Sequence, residues 1–208
     1  MPVNYGSVGG TQAVDLLSYP PRGYRSSEHR GRLGSGDDRF ESAVASLMTW
    51  GVQRGSGLRV TDIQQEAADE HGYRGVVFGD DGSPLERAGA PREAVYGDDG
   101  TPYITPGTSV VLLLPAGPFT VRAPSRVVYV VDEPDRVGFA YGTLDGNPIS
   151  GEESFVVERT DSGEVWLVLR QFSRPSGWPW RLGAPALRIA QRRMTKRYLR
   201  ALHPAAGN

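Results

Sequence analysis

Two adjacent glutamates, Glu152 and Glu153, are the residues of this sequence best suited to acid–base chemistry. They open a predicted strand, and the two-residue period of a strand places Glu153 on one face with Phe155 and Val157. A carboxylate among apolar side chains has a raised pKa and can act as a general acid or base. We therefore predict Glu153 as the candidate catalytic or ligand-binding carboxylate. The structural alternative is an ion pair with a rim arginine, or a bond to the 142–151 loop.

The same alternation directs further polar side chains toward an apolar interior, and it places Tyr129 on one face with Val127 and Val131. A mostly apolar pocket with a few hydroxyl and amide groups suits a small molecule. The alternative is a filled core with tyrosine hydroxyls at the surface. The predicted ligand-binding residues are Tyr129, Tyr141, Glu153, Gln171, Ser173 and Trp178.

Trp178 and Trp180 bracket Pro179 and have three possible roles. They would gate the mouth of a cavity, touch a membrane interface, or staple the last strand to the following helix. We favour the staple, because large rings are mostly buried for packing.

Several kinds of chemistry are excluded by residue content. The chain has no cysteine, which removes disulfides, thiolate nucleophiles and cysteine-ligated metals. The three histidines, His29, His71 and His203, show no grouping typical of zinc or of a catalytic triad. Phosphate-loop, dinucleotide-binding and Gly-x-Ser-x-Gly spacings are absent at predicted strand-to-helix junctions. We expect neither a cofactor nor a metal.

Charge is distributed unevenly although the net charge is −1. Residues 165–208 carry nine basic and no acidic side chains, and all 24 acidic residues precede them. The basic residues at spacings of four form a stripe on a predicted C-terminal helix, which would suit phosphates of nucleic acid or anionic lipid. The alternative, which we favour, is a solvated helix face held by the acidic remainder of the chain. Because no aromatic residues interleave with the stripe, the sequence argues against a nucleic-acid partner.

The sequence predicts a soluble protein, and we expect it to be cytoplasmic. Its start lacks the basic and apolar regions of a secretory signal. Its longest apolar run, Val110–Leu114, is far shorter than the ~20 residues of a membrane span.

The predicted order of secondary-structure elements along the chain places two helices before most of the strands. An amphipathic helix begins at Asp37 or Asp38, and a weaker one is predicted from Thr61 to Gly72. Short β-branched and aromatic runs follow, with turn residues between them, and these predict an antiparallel meander. Apart from a weak first strand at Tyr24–Leu33, the predicted strands are Gly75–Phe78, Glu93–Tyr96, Ser109–Leu114, Phe119–Ala123, Arg126–Val131, Val137–Thr143, Ser154–Arg159 and Val165–Ser173.

A near-repeat at an offset of 18 residues matches Val77–Pro84 to Val95–Pro102. Each copy carries Gly-Asp-Asp-Gly, which favours tight hairpin turns, since Gly tolerates positive φ and Asp bonds the local backbone. A cation site from paired carboxylates is the alternative, but the spacing of a calcium loop is absent.

The element order, ending in a long helix at Pro185–Leu202, predicts an α+β fold of the helix-grip type, also called START-like or Bet v 1-like. In it an antiparallel sheet wraps around the C-terminal helix and encloses an apolar cavity. Leu187, Met194 and Tyr198 would face the sheet. A closed lipocalin-like barrel is the second choice. We expect a single domain over 1–208, with an N-terminal arm at 1–23.

The sequence also resembles a known family. The run Arg122–Leu144, with Gly151–Phe155, Phe172–Pro175 and Leu47–Val60, is similar to the uncharacterised family called domain of unknown function 1990, or the UPF 0548 group. The resemblance implies a START-like fold without an activity. It also marks residues 73–105 as a hairpin insertion. Members often have Gly-His-Pro where this chain has Asn147 between Gly146 and Pro148, so no role of that imidazole transfers.

Together these observations favour a binder of a small apolar or aromatic molecule, held between the sheet and the C-terminal helix. Such a protein requires a cavity of a few hundred Å³ beside Glu153. A cofactor-independent cyclase or hydrolase using Glu153 is one alternative. An RNA- or protein-interaction module using the basic helix is another.

Overall fold

A computed structural model describes residues 2–65, 96–97, 100–116 and 118–203. A short 3-10 helix, Gly10–Gln12, lies in the N-terminal arm. The strands are β1 (Arg25–Ser35), β2 (Arg59–Gln64), β3 (Ser109–Ala116), β4 (Phe119–Glu133), β5 (Arg136–Thr143), β6 (Ile149–Arg159) and β7 (Glu164–Pro175). The helices are α1 (Asp37–Met48), α2 (Gly51–Gly55), α3 (Gly177–Leu182) and α4 (Ala184–Ala201).

The seven strands form one antiparallel sheet in the order β1-β7-β6-β5-β4-β3-β2. Strands β2 to β7 are arranged as a meander, and β1 joins at the far edge by pairing with β7. Helices α1, α2 and α4 pack against one face, which we call the helix side. The predicted helix-grip α+β fold is thus confirmed.

Aromatic rings fill the centre of the helix side. The ring centroids of Trp50 and Phe139 are 5.3 Å apart, those of Phe139 and Phe155 are 5.8 Å apart, and those of Phe155 and Tyr198 are 5.1 Å apart. Fully buried Leu47, Leu167 and Leu169 surround them. Each such ring removes a large apolar area from water, so this ladder fixes α4 to the sheet through Tyr198.

The N-terminal arm covers part of the opposite face, which we call the arm side. Tyr5 and Leu16 pack with fully buried Phe172 of β7, and the rings of Tyr5 and Phe172 meet edge to face at 5.6 Å. Strand β7 therefore contributes side chains to two hydrophobic clusters: Leu169 packs on the helix side and Phe172 packs on the arm side.

Three of the sequence-based element predictions are wrong. Residues 61–64 belong to an edge strand and not to a helix, since Arg59, Val60 and Thr61 pair with β3; pairing with a neighbouring strand outweighs a weak capping pattern. The predicted strands on either side of Pro124 are one strand, β4. A bulge in β4 between Val127 and Tyr129 also breaks the predicted alternation.

The near-repeat and the predicted insertion fall mostly outside the described residues, as do the strands predicted at 75–78 and 93–95. Of the second copy, Tyr96 and Pro102 form an isolated antiparallel bridge. The amide of Gly97 donates to the carbonyl of Thr101 at 2.9 Å, as in a tight hairpin. The division of the chain into arm, domain and insertion remains a prediction.

The tryptophan staple is also wrong. Trp178 is 73% exposed and Trp180 39% exposed, so neither ring is buried between β7 and α4. The N-terminal half of α4 is likewise exposed, and in its first nine described side chains only Leu187 and Gln191 are half-buried. Helix α4 is held at its C-terminal end, where Thr195 and Tyr198 are buried, as is Leu202 directly after the helix.

Candidate functional site

A row of polar side chains crosses the helix side of the sheet. In the strand register Tyr141 of β5 lies opposite Glu153 of β6, Glu153 lies opposite Gln171 of β7, and Gln171 lies opposite Ser27 of β1. Directly paired residues of antiparallel strands point to the same face, with Cβ atoms ~5 Å apart. Three of the predicted residues, Tyr141, Glu153 and Gln171, are therefore brought together.

Hydrogen bonds link the members of this row in pairs. The Tyr141 hydroxyl donates to Oε2 of Glu153 at 2.6 Å. Nε2 of Gln171 donates to Oγ of Ser27 at 3.0 Å. The structural alternatives for Glu153, an arginine partner or a bond to the 142–151 loop, are not what the hydrogen bonds show.

Burial raises the pKa of Glu153 from its ordinary value of 4.5 to about 7, although the bond from Tyr141 lowers it. Water solvates the charged carboxylate better than the apolar interior does, so the neutral form is favoured inside. Near neutral pH the protonated and the ionised forms of Glu153 are both populated, so the group can donate or accept a proton. A pKa close to the operating pH favours general acid–base catalysis.

Two tyrosines flank this carboxyl group. Burial raises the pKa of both Tyr141 and Tyr198 well above the ordinary value, and the charge of Glu153 adds to the effect. Both hydroxyls therefore stay protonated and act as donors or acceptors of hydrogen bonds without ionising. Tyr198 comes from α4, so the helix itself faces Glu153.

The row continues toward solvent along β7 and α4. Ser173 lies two residues beyond Gln171 in β7 and so on the same face. Nε2 of Gln191 in α4 donates a hydrogen bond to Oγ of Ser173 at 3.1 Å. Gln191 precedes Tyr198 by seven residues, which is two helical turns, and the two share one face of α4.

A pocket of about 120 Å³ opens at this end, between α4 and the ends of β1 and β7. Ser173 and Gln191 form its inner wall, and Leu187 and Pro175 add apolar surface. Its remaining lining residues are Gly23 and the cations Arg25, Arg174 and Arg188. We call the residues from this pocket to Glu153 the polar strip: Ser173, Gln191, Gln171, Glu153, Tyr141 and Tyr198.

The expected large cavity beside Glu153 is not among the pockets that the structure describes. The second pocket, of about 370 Å³, is a wide depression on the arm, with Val3, Val8 and Gly107 in its lining. Around Glu153 the interior is occupied by Tyr141, Phe155 and Tyr198, whose rings contact one another.

Tyr129 lies on the arm side and does not join the polar strip. The bulge after Val127 reverses the alternation, so Val127 packs in the helix-side core while the Tyr129 hydroxyl lies 2.7 Å from Oγ1 of Thr11. Placing it on one face with Val127 was therefore wrong.

Glu152, which we did not select, is the more deeply buried of the two glutamates at 2% exposure. Its carboxylate accepts hydrogen bonds from the Tyr5 hydroxyl at 2.6 Å, the Gly9 amide at 2.8 Å, and both the amide and hydroxyl of Thr11 at 2.9 and 2.5 Å. Because the Thr11 hydroxyl gives its one hydrogen to Glu152, Tyr129 must donate to Thr11. Glu152 thus anchors the arm, and no local sequence signal connects residues more than 140 positions apart.

Asn147 has a structural role. Its Nδ2 donates to the carbonyl of Pro124 at 3.1 Å, and its Oδ1 accepts the amide of Ile149 at 3.1 Å. The side chain therefore ties the β5–β6 loop to β4.

The described ranges contain neither a metal-binding group of side chains nor a membrane-spanning helix. There, no three His, Asp or Glu side chains converge in a way that could hold a metal ion. Nor does any helix of that part of the chain combine the length and apolarity that crossing a bilayer requires.

Sequence comparison finds similarity over most of the chain. The profile of the family described as Domain of unknown function (DUF1990) matches residues 4–87 and 85–201. A UPF0548 protein of Deinococcus radiodurans is 36% identical over 190 residues, covering 88% of this chain and 79% of that protein. A UPF0548 protein of Arabidopsis thaliana is 34% identical over 82 residues, covering 36% of this chain and 40% of that protein.

Structure comparison finds the same architecture in a hypothetical protein from Helicobacter pylori. The TM-score is 0.53 at 11% identity, with 97% of this chain and 94% of that chain covered. At this identity the likeness concerns the fold alone.

Proposed function

We propose that this chain, which belongs to the family described as Domain of unknown function (DUF1990), binds a small apolar or aromatic molecule between its sheet and α4. The observation that carries the proposal is the polar strip, which leads from a solvent-open pocket to a carboxyl group whose pKa is near 7. Most other side chains buried on the helix side are apolar, and Gln53 of α2 and Thr195 of α4 are buried polar exceptions.

The fold itself has no need of these polar groups. Burying a carboxyl group opposes folding unless it is well paired, and apolar residues of similar volume are commonly as stable or more so. Glu153 has the Tyr141 hydroxyl as its hydrogen-bond donor and no arginine within ion-pair distance among the described residues. Such a cost is typical of a binding site, where it is offset by ligand contacts.

The described residues leave no cavity of a few hundred Å³ beside Glu153, and the 120 Å³ pocket is smaller than the ~300–1,000 Å³ of typical ligand pockets. We therefore take this pocket as the entrance to a site that opens on binding. Binding of a drug-sized molecule therefore requires the N-terminal half of α4 to move away from β7. That half is exposed, whereas Tyr198 and Leu202 keep the other half in place.

The chemistry of the entrance specifies the ligand further. Arg25, Arg174 and Arg188 are among its lining residues and favour an anionic substituent, and the Arg174 guanidinium also lies over the Tyr24 ring, 4.5 Å from its centroid. Leu187 and Pro175 supply apolar contact for the body of the molecule. An aromatic or alkyl acid of modest size has both features.

The experiment uses 8-anilinonaphthalene-1-sulfonate, an aromatic anion whose fluorescence reports binding. We expect saturable 1:1 binding, weakened at least tenfold by Ser173→Leu, which fills the inner wall of the pocket. Ser18→Leu, at an exposed position in the arm, is the matched control and should bind like wild type. Equal affinity of Ser173→Leu and wild type would overturn the proposal.

A second candidate function is cofactor-independent acid–base catalysis by Glu153. It is favoured by the pKa near 7 and by the hydroxyl of Tyr141 at 2.6 Å, which could orient a substrate. With p-nitrophenyl butyrate as probe, an enzyme should lose turnover in Glu153→Gln while the sulfonate probe still binds. A binding protein shows no turnover with either form, and its affinity alone changes.

A further inference from the structure

The outer surface of α3 and α4 exposes large apolar side chains. Trp178 is 73% exposed, Leu182 is 76% exposed and Ile189 is 53% exposed. Trp178 and Leu182 are four residues apart in α3 and share one face. Gly183 joins α3 to α4 with φ −84° and ψ 9°, outside the α-helical region. Ile189 lies in the following helix, α4, seven residues after Leu182, and is also exposed.

Cations continue this surface along α4. Helix α4 contains six basic and no acidic residues: Arg188, Arg192, Arg193, Lys196, Arg197 and Arg200. By helical spacing Arg193, Lys196 and Arg200 follow Ile189 on the exposed face, opposite buried Tyr198. We call Trp178, Leu182, Ile189, Arg193, Lys196 and Arg200 the outer stripe.

The described acidic residues do not neutralise these cations. In the part of the chain that the structure describes, the ion pairs join arginines of the strands to nearby carboxylates, as Arg30 does with Glu158 and Arg159 with Asp135. None of these pairs includes a residue of α4. The prediction that the acidic part of the chain holds α4 by complementary charge is therefore not carried by direct ion pairs among the described residues, and it stays a prediction.

We propose that the outer stripe docks this protein onto the surface of an anionic lipid bilayer. Tryptophan and aliphatic side chains bury in the interfacial layer, and Lys and Arg beside them are attracted to anionic headgroups. The cations, which form no ion pair with the described acidic residues, supply charge complementarity. The exposed apolar residues supply the insertion that holds a helix in the plane of the interface.

The apolar part of the stripe selects lipid over nucleic acid. Nucleic-acid binding would use the cations and could stack bases on Trp178. It would leave Leu182 and Ile189 exposed to water, since neither stacks on bases nor bonds phosphate. A bilayer interface takes up all three apolar residues together with the cations.

Co-sedimentation with vesicles tests the proposal on the full-length protein. We expect binding to vesicles of phosphatidylcholine and phosphatidylglycerol at 3:1, and at least tenfold weaker binding to phosphatidylcholine alone. Raising the salt from 50 to 500 mM should weaken binding at least tenfold, because the headgroup attraction is screened. Absence of binding to the anionic vesicles, or equal binding to both compositions, would overturn the proposal.

Two pairs of variants separate the contributions of the apolar and the basic side chains to vesicle binding. Trp178→Ser and Arg193→Glu should each weaken vesicle binding at least fivefold. Phe119→Ser, with a similarly exposed ring at 74%, and Arg22→Glu, at an exposed arm position, are the matched controls and should bind like wild type. Equal loss in the controls and in the stripe variants would show that the effect is not local, and would contradict the proposal.

Two further measurements distinguish lipid docking from nucleic-acid binding and from the proposed ligand site. Tighter binding of a single-stranded RNA such as poly(U) than of anionic vesicles would refute lipid docking in favour of nucleic acid. Ser173→Leu should leave vesicle binding unchanged, so the proposed ligand site and the docking surface can fail independently.

Discussion

Replacing Glu153 by Gln should stabilise the protein at alkaline pH and have little effect in mild acid. Glutamine keeps the shape of the side chain and still accepts the hydrogen bond from Tyr141, but it cannot ionise. The variant therefore removes the cost of burying the charge and little else.

The magnitude follows from the pKa of Glu153. A rise from 4.5 in the unfolded chain to about 7 in the folded one corresponds to about 3 kcal/mol, at ~1.4 kcal/mol per pH unit. Because the folded-state pKa is the higher one, the fold binds the proton more tightly. The stabilisation is complete below pH 4.5 and is lost as the pH rises through 7.

Urea denaturation, followed by tryptophan fluorescence at pH 5 and pH 8, measures this effect. We expect wild type to lose about 2–3 kcal/mol of unfolding free energy between the two values on account of this group, and Glu153→Gln to lose correspondingly less. Glu41→Gln removes an exposed carboxylate from α1 and should follow the wild-type pH dependence.

One result would refute the reasoning. If Glu153→Gln destabilises the protein equally at pH 5 and pH 8, the carboxylate is needed in its charged form. The raised pKa, and with it the polar strip as a functional feature, would then be mistaken.

Other predictions concern the contacts that hold the two faces of the sheet. Glu152→Gln should cost about 2–3 kcal/mol and expose the arm to limited proteolysis, because several donors lose a charged acceptor in a buried site; an arm as resistant as in wild type would contradict this. Gly142→Ala should be destabilising by ~2 kcal/mol, since a Cβ there would contact the Tyr5 hydroxyl, and much of the loss should vanish in a Tyr5→Ala background. Phe155→Ala should cost ~3–5 kcal/mol in urea denaturation, because the ring is fully buried in the aromatic ladder; a loss below 1 kcal/mol would show that the ladder is loosely packed.

Local periodicity was sufficient to predict which face of the sheet carries Glu153, Gln171 and Ser173. The alternation of β6 correctly directs Glu153 to the face of Phe155 and Val157, and that of β7 places Gln171 and Ser173 with the core leucines. Strand β6 pairs in continuous register with residues 165–175 of β7, so the two-residue period applies there without interruption.

Interruptions in the register were not predictable in the same way. The bulge in β4 moves Tyr129 to the arm side, and it arises from pairing with β5 and not from a local pattern. Strand β2 forms where capping residues favoured a helix, because it hydrogen-bonds with β3 across a long stretch of intervening chain.

The sequence by itself determined the fold class, the C-terminal helix and the face on which Glu153 lies, since these depend on patterns repeated within one element. Tertiary structure alone decided which glutamate anchors the arm, because Glu152 bonds residues more than 140 positions away. It also decided that Trp178 is exposed and that the α4 cations pair with none of the described acidic residues. Burial and ion pairing depend on what packs against a side chain, and in these cases the packing partners are distant in the chain.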